Sequence, residues 1–259
     1  MLDLIGDLRA EQDDLDGLLA GLDDPSWDIV TPSEPWTIRD TVSHVAFFDE
    51  KETQAISDPV AFAAEINLHL SDGIDNYIAL GLKQGRSMSP ASALDWWRRA
   101  RATELEAFEG VDPDALLPWF GPNMKARSAV IARLMETWAH GHDIAEALGL
   151  GRPPTDRLFH IAELGVKTFS WSYLNRGLEV PVERVRVALQ GPSGSTRVWN
   201  DSMADSISGP VEEFCLVVAQ RRNYLDTSLV IAGEVARGWM EVAQIFAGPP
   251  GAGRPRAAG

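Results

Sequence analysis

Apolar residues recur at helical spacing from the start of the chain. Leu2, Leu4, Ile5, Leu8, Leu15, Leu18, Leu19 and Leu22 share one stripe and predict an amphipathic helix ending near Asp23, Asp24 and Pro25. After a Pro-rich connection at 31–36, Thr37 can cap a second helix with Asp40 as its capping-box partner. Pro59 opens a third helical stretch that carries Phe62, Ile66, Leu70, Ile74, Tyr77 and Ile78 towards a stop at Gly81 or Gly85, with a break expected near Gly73. Ser89 and Pro90 open another, which runs through Trp96, Trp97, Leu105 and Phe108 to Gly110. Residues 111–124 hold Pro113, Pro118, Gly121 and Pro122 and read as an irregular loop, with Trp119 and Phe120 packed over something. A further helix follows, with Ser128 as N-cap and Gly149, Gly151 and Pro153 as its stop.

Short loops between amphipathic helices are the pattern of a helix bundle, so residues 1–150 are expected to form an all-helical domain. One more helix fits 158–174, stopping at Gly177, and then the period changes. Residues 184–189 alternate, 191–194 read as a turn and 195–199 as the return strand. Helices at 211–220 and 227–246 close a small α/β domain. The expected organisation is thus a bundle at 1–150, a connecting helix and small α/β domain at 151–248, and a disordered tail at 249–259. All β-structure is expected between about 180 and 210.

Charge narrows the class of partner. The chain carries a net −15, and residues 1–60 alone hold 15 acidic against three basic side chains. Such a surface repels phosphate backbones and anionic lipid, which argues against nucleic acid or membrane as a partner. The single cysteine, Cys215, lies in an apolar run and reads as a small buried hydrophobe. With no secretory signal and no apolar run long enough to span a bilayer, a cytoplasmic protein is expected.

The chemistry concentrates at residues 135–143. Glu136 and His140 lie one turn apart on one helix face, where both can reach a single point beside the helix. Asp143 falls on the same side, opposite the stripe of Ile131, Leu134, Met135, Trp138 and Ala145. A polar stripe is ordinarily a solvated face, but Ala129, Ala132, Ala139 and Ala147 stand where a wet face would carry long charged side chains. A carboxylate and an imidazole at this spacing suit a divalent metal once a third ligand is found. Of the other histidines, His69 and His160 are read as structural or surface residues, and His142 points well away from Glu136.

The run from Trp36 to His44 resembles the W-[ST]-x-x-[DE]-x-x-x-H signature of the mycothiol-dependent maleylpyruvate isomerase family, and Glu136, His140 and Asp143 match its later E-x-x-x-H and acidic step. The resemblance covers roughly residues 1–150 and implies a DinB-like four-helix bundle, followed here by the small α/β domain: a mainly α protein. It also implies a divalent metal, zinc first, held by His44, Glu136 and His140. Asp40 and Asp143 are candidate acceptors for the ring N–H groups, with helix capping the preferred role of Asp40. By the same resemblance the metal binds the thiol of a cofactor such as mycothiol. Arg221 and Arg222 are the candidate catalytic residues, holding a substrate carboxylate.

The function expected is a metal- and thiol-dependent isomerase or transferase acting on a small molecule, as a monomer or homodimer. A metal-dependent hydrolase and a non-catalytic metal-binding module are the alternatives. A nucleotide enzyme and a Ser-His-Asp hydrolase are disfavoured, for the chain holds neither a phosphate-binding glycine motif nor a G-x-S-x-G elbow. Trp119 and Phe120, with Trp171 or Trp239, are expected to roof an enclosed pocket at the metal, built partly by the second domain.

Overall fold

The computed structural model describes residues 1–70, 73–120, 123–201 and 204–257. Gly121 and Pro122 of the aromatic loop, and the last two residues, lie outside the described residues. The chain divides into two compact units, Met1–Arg152 and Pro153–Gly259.

The first unit is built on four long helices, α1 (Leu2–Leu19), α2 (Ile38–Ser57), α5 (Pro90–Gly110) and α6 (Ala126–Ala147). α2 packs against both α5 and α6, while α1 closes the other side against α6. Thr37 and Asp40 form the capping box in full, and Ser89 accepts a hydrogen bond from the Ser92 N–H above Pro90. Ser128 does not cap α6. The helix starts earlier, at Ala126 after Lys125, because the preceding residues pair as a two-residue ribbon, β1 (Leu116–Leu117) with β2 (Met124–Lys125). That ribbon corrects the all-helical expectation for residues 1–150.

The third helical stretch is two helices, α3 (Pro59–Leu70) and α4 (Ile74–Arg86), broken at Gly73, whose φ is +89°. Gly81 and Gly85 do not end α4. They let it approach α2 closely: a Cβ on Gly85 would lie 1.7 Å from Ser43 Oγ, and one on Gly81 2.7 Å from the Phe47 side chain. The apolar core of the unit includes Leu15, Trp27, Ile38, Val42, Phe48, Tyr77, Trp97 and Ile144, with Trp119 and Phe120 packed at its edge.

The second unit opens with α7 (Leu158–Lys167) and α8 (Phe169–Leu174), separated at Thr168. β3 (Arg186–Gln190) and β4 (Thr196–Trp199) form the expected hairpin, β5 (Ser206–Pro210) runs parallel to β3, and β6 (Val230–Ala232) pairs antiparallel with β5. Val187, Leu189 and Ile207 are fully buried on the sheet. α9 (Val211–Val218) packs against α7 and α10 (Glu234–Val242) against α8. The single helix expected at 227–246 is therefore a strand followed by a short helix. Gly233, at φ +95°, makes the turn between them, and Asp205 accepts hydrogen bonds from the freed Val235 and Ala236 N–H groups.

The closing Gly/Pro stretch was expected to be disordered, yet residues 249–257 are laid along this unit. Side chains hold its backbone: Arg176 donates to the Gly251 carbonyl, Asn223 to that of Arg254, and Asp226 accepts from the Ala257 N–H. Among the described residues no helix is long and apolar enough to cross a membrane.

Candidate metal centre

α6 is buried almost all round, so His140 and Asp143 face protein, with Glu136 partly exposed beside them. Its neighbour α2 brings His44 opposite them. One ligand atom from each of His44, Glu136 and His140 lies within 4.8 Å of the other two. Both imidazoles turn Nε2 towards the same carboxylate oxygen, Glu136 Oε2, at 3.8 Å for His44 and 3.3 Å for His140. Among the described residues this is the one group of three such side chains with that convergence.

The electrostatics suit a cation. Burial pushes the pKa of His44 down to about 4, so at neutral pH its ring is uncharged and offers a lone pair. Burial would raise the Glu136 carboxyl, but pairing with His140 and His44 holds it well below the usual carboxylate range. Two imidazoles and one carboxylate are a donor set that a divalent metal accepts with a coordination position left open. The residues present therefore fit the metal. The histidine side chains are nearly closed off, 11% and 7% exposed, while that of Glu136 is 23% exposed and marks the accessible side.

Each ring is oriented differently. His140 turns Nδ1 towards Asp143 Oδ2 at 3.5 Å, and the same oxygen accepts a hydrogen bond of 2.9 Å from Ser33 Oγ. This is the carboxylate–histidine arrangement that fixes the tautomer of a metal ligand. The His44 Nδ1 is buried without a hydrogen-bond partner, and its ring is clamped by aromatic faces, Trp36 at 4.8 Å and Phe48 at 4.7 Å between centroids. Trp36 also stacks on His140 at 5.9 Å. Phe48 in turn contacts Trp119 and Phe120, so the aromatic loop joins a ring cluster that continues outwards from His44.

Several expected roles change. Asp40 keeps its preferred capping role and does not serve a histidine: its carboxylate caps α2 and is held by a two-pronged Arg86 guanidinium at 2.7 and 2.9 Å. Trp239 does not roof a pocket. It is buried in the second unit's core between Phe169 and Phe214. Trp171 is held in that unit too, its indole N–H donating to the Phe246 carbonyl. His69 stacks on Tyr77, and His142 lies beside Trp138 and Glu146. Cys215 is buried, and burial pushes its thiol well above the ordinary range, so it is not a nucleophile.

Arg221 and Arg222 lie in the second unit just after α9. Arg221 donates to the Ala219 carbonyl. Arg222, with Arg176, Arg254 and Asn223, lines a cavity of about 210 Å³ within that unit. A cavity of about 340 Å³ in the first unit is lined by Asp28, Pro35, Thr37, Arg39, Asp40 and Arg86. Neither is lined by a candidate metal ligand.

Sequence spacing missed Ser33, the placement of Trp36 over both rings, and a buried arginine beneath the ligands, Arg133. Ser33 is 110 residues from the aspartate it serves, and nothing local marks that contact. Arg133 did leave a signal, a charge in a helix face otherwise made of Val130, Ile131 and Leu134.

The sequence profile of the mycothiol maleylpyruvate isomerase N-terminal domain matches residues 8–145. An uncharacterized protein of Mycobacterium tuberculosis, in strains CDC 1551 / Oshkosh and ATCC 25618 / H37Rv, is 41% identical over 251 residues, 96% of this chain and 97% of the relative. Two crystal structures, of the mycothiol-dependent maleylpyruvate isomerase and of a histidine-to-alanine mutant of it, superpose with a TM-score of 0.57. The identity is 15%, over 85% of this chain and 88% of theirs, a likeness of fold.

Proposed function

This chain belongs to the mycothiol maleylpyruvate isomerase N-terminal domain family, and we propose that it is a divalent-metal-dependent enzyme, zinc first, that uses a small thiol such as mycothiol in an isomerase or transferase reaction on a small molecule. The observation that carries the reading is the convergence of His44, Glu136 and His140 on one point, with two Nε2 atoms and a carboxylate oxygen as donors. A bound dication supplies Lewis acidity there, keeping a thiol deprotonated at neutral pH.

The chain's own residues do the rest. Glu136 offsets part of the cation's charge and stands at the accessible edge, where thiol and substrate enter. Asp143, steadied by Ser33, keeps the His140 ring turned so that Nε2 is the donor. Trp36 and Phe48 cover the two imidazoles and keep bulk water from them, which strengthens electrostatic effects at the centre. For a substrate carboxylate we assign Arg222 ahead of Arg221, because among the described residues the Arg222 guanidinium has no hydrogen-bond or ion-pair partner, whereas Arg221 already serves Ala219.

The test is elemental analysis of purified protein, followed by thermal shift with mycothiol, cysteine and glutathione. One dication per chain, with stabilisation by mycothiol beyond that by the other thiols, is the expected result. Absence of metal overturns the reading. Metal without any thiol response turns it towards a hydrolase or a non-catalytic metal module.

A further inference from the structure

Directly beneath the ligands, the bundle buries a charge that a hydrophobic core does not need. Arg133 is 1% exposed, on α6, one turn before Glu136 and two turns before His140. Its guanidinium donates to Asp49 Oδ1 at 2.5 Å on α2 and to Glu104 Oε1 at 3.1 Å on α5. It also reaches the Val45 carbonyl at 3.4 Å, and Val45 is the residue next to His44. Gln12 of α1 completes the shell by donating to the other Glu104 oxygen at 3.0 Å. All four long helices thus meet in one hydrogen-bonded network, three of them at Arg133 and α1 through Glu104.

Such a network is a poor device for stability alone. Taking the charges out of water costs several kcal/mol per ion, and apolar residues of similar volume commonly fill the same space at no loss. What it provides is direction. Apolar helix faces tolerate small slides against each other, whereas a guanidinium held by charged partners on two neighbouring helices, with its Nη2 bonded to α2 at two points, does not. The two points on α2, at 45 and 49, fix that helix against α6 at the level of His44. The ligand set is split between these two helices, His44 on one and Glu136 with His140 on the other, and metal–ligand distances tolerate only about 0.2 Å.

We propose that Arg133 is a positioning residue for the metal centre, holding the helix of His44 in register with the helix of Glu136 and His140 through Asp49 and the Val45 carbonyl. This rests on the metal reading of the triad. The flanking carboxylates have a second consequence: Asp49 and Glu104 balance the guanidinium, so its positive charge does not oppose a dication bound nearby.

Co²⁺ is the probe, because its ligand-field spectrum reports coordination geometry as well as occupancy. The whole chain is titrated as wild type, Arg133→Met, Arg133→Lys and Asp49→Asn, at a temperature where circular dichroism shows each variant folded. Leu8→Ala, a core change in the same unit, controls for lost stability. Support effects on metal ligands are typically 10–100-fold. Arg133→Met is expected to weaken Co²⁺ binding at least tenfold and shift the spectrum. Arg133→Lys and Asp49→Asn should fall between it and wild type, and Leu8→Ala should leave both readouts unchanged. Any folded Arg133 variant that binds within twofold of wild type with the same spectrum overturns the proposal. So does failure of all three network variants to fold, which assigns the network to folding alone. Wild type that binds no Co²⁺ removes the metal reading itself, a result distinct from either.

Discussion

Glu52 offers a test of how the bundle core handles charge. Its side chain is 1% exposed on α2, and neither carboxylate oxygen has a hydrogen-bond partner. Burial raises its pKa from 4.5 to about 7, with the Arg133 charge lowering it and Asp49 raising it. A carboxyl with a folded pKa above its unfolded value binds an extra proton in the native state between those two values. Its contribution to stability is therefore complete below pH 4.5, falls as pH rises to about 7, and is flat beyond. At 1.36 kcal/mol per pH unit the whole loss is about 3 kcal/mol, most of it between pH 5 and pH 8.

Glu52→Gln keeps the shape and cannot ionise, so it removes that slope. Relative to wild type, the variant should be close to neutral at pH 5 and more stable by about 2–3 kcal/mol at pH 8. The assay is urea unfolding followed by far-ultraviolet circular dichroism, with a chelator present so that metal binding adds no pH dependence of its own. Subtracting the two proteins at each pH cancels the titrating groups that do not interact with Glu52. If Glu52→Gln shifts stability equally at both pH values, Glu52 does not titrate between them and the argument from burial fails.

Other expectations follow from the same contacts. His44→Ala, Glu136→Ala and His140→Ala should each remove most bound metal by elemental analysis, while His69→Ala and His160→Ala retain it; full occupancy in Glu136→Ala would show the ligand set to be wrong. Asp143→Asn should weaken metal binding about tenfold and Ser33→Ala by less, measured by competition with a chromophoric chelator, because each loosens the His140 ring. An unchanged constant in Asp143→Asn would remove its supporting role. Gly85→Ala should lower stability by roughly 1–3 kcal/mol in thermal unfolding, since its Cβ meets Ser43 on α2. A neutral result would mean that α4 can move away without cost.

The helices of the first unit were legible because local rules govern them. Apolar residues at a 3.6 period, Thr37 with Asp40, and Ser89 before Pro90 each act over four residues, and those helices begin where these signals stand. The E-x-x-x-H pair was legible for the same reason, since the helix itself brings Glu136 and His140 to one face. The hairpin of β3 and β4 was readable from alternation around a turn. What local rules could not reach depended on long-range pairing. β6, only three residues long, exists because β5 offers it an edge, and β1 and β2 exist because each has the other. Gly81 and Gly85 looked like stops because the sequence does not reveal that α2 packs against them. Asp40 was legible as the partner of Thr37, but its counter-charge Arg86 comes from another helix.

The site divides along the same line. The types and order of the ligands were written in the chain and recognisable by resemblance, but their meeting within 4.8 Å is the work of α2 packed against α6. Ser33 beneath Asp143, Trp36 over both imidazoles, and Arg133 between Asp49 and Glu104 have no local signature, because each partner lies on a separate segment. Sequence periodicity specifies which face of a helix is apolar. Which charged group that face must accommodate is decided only when another helix arrives carrying its counter-charge, because a buried charge is tolerable only beside a partner.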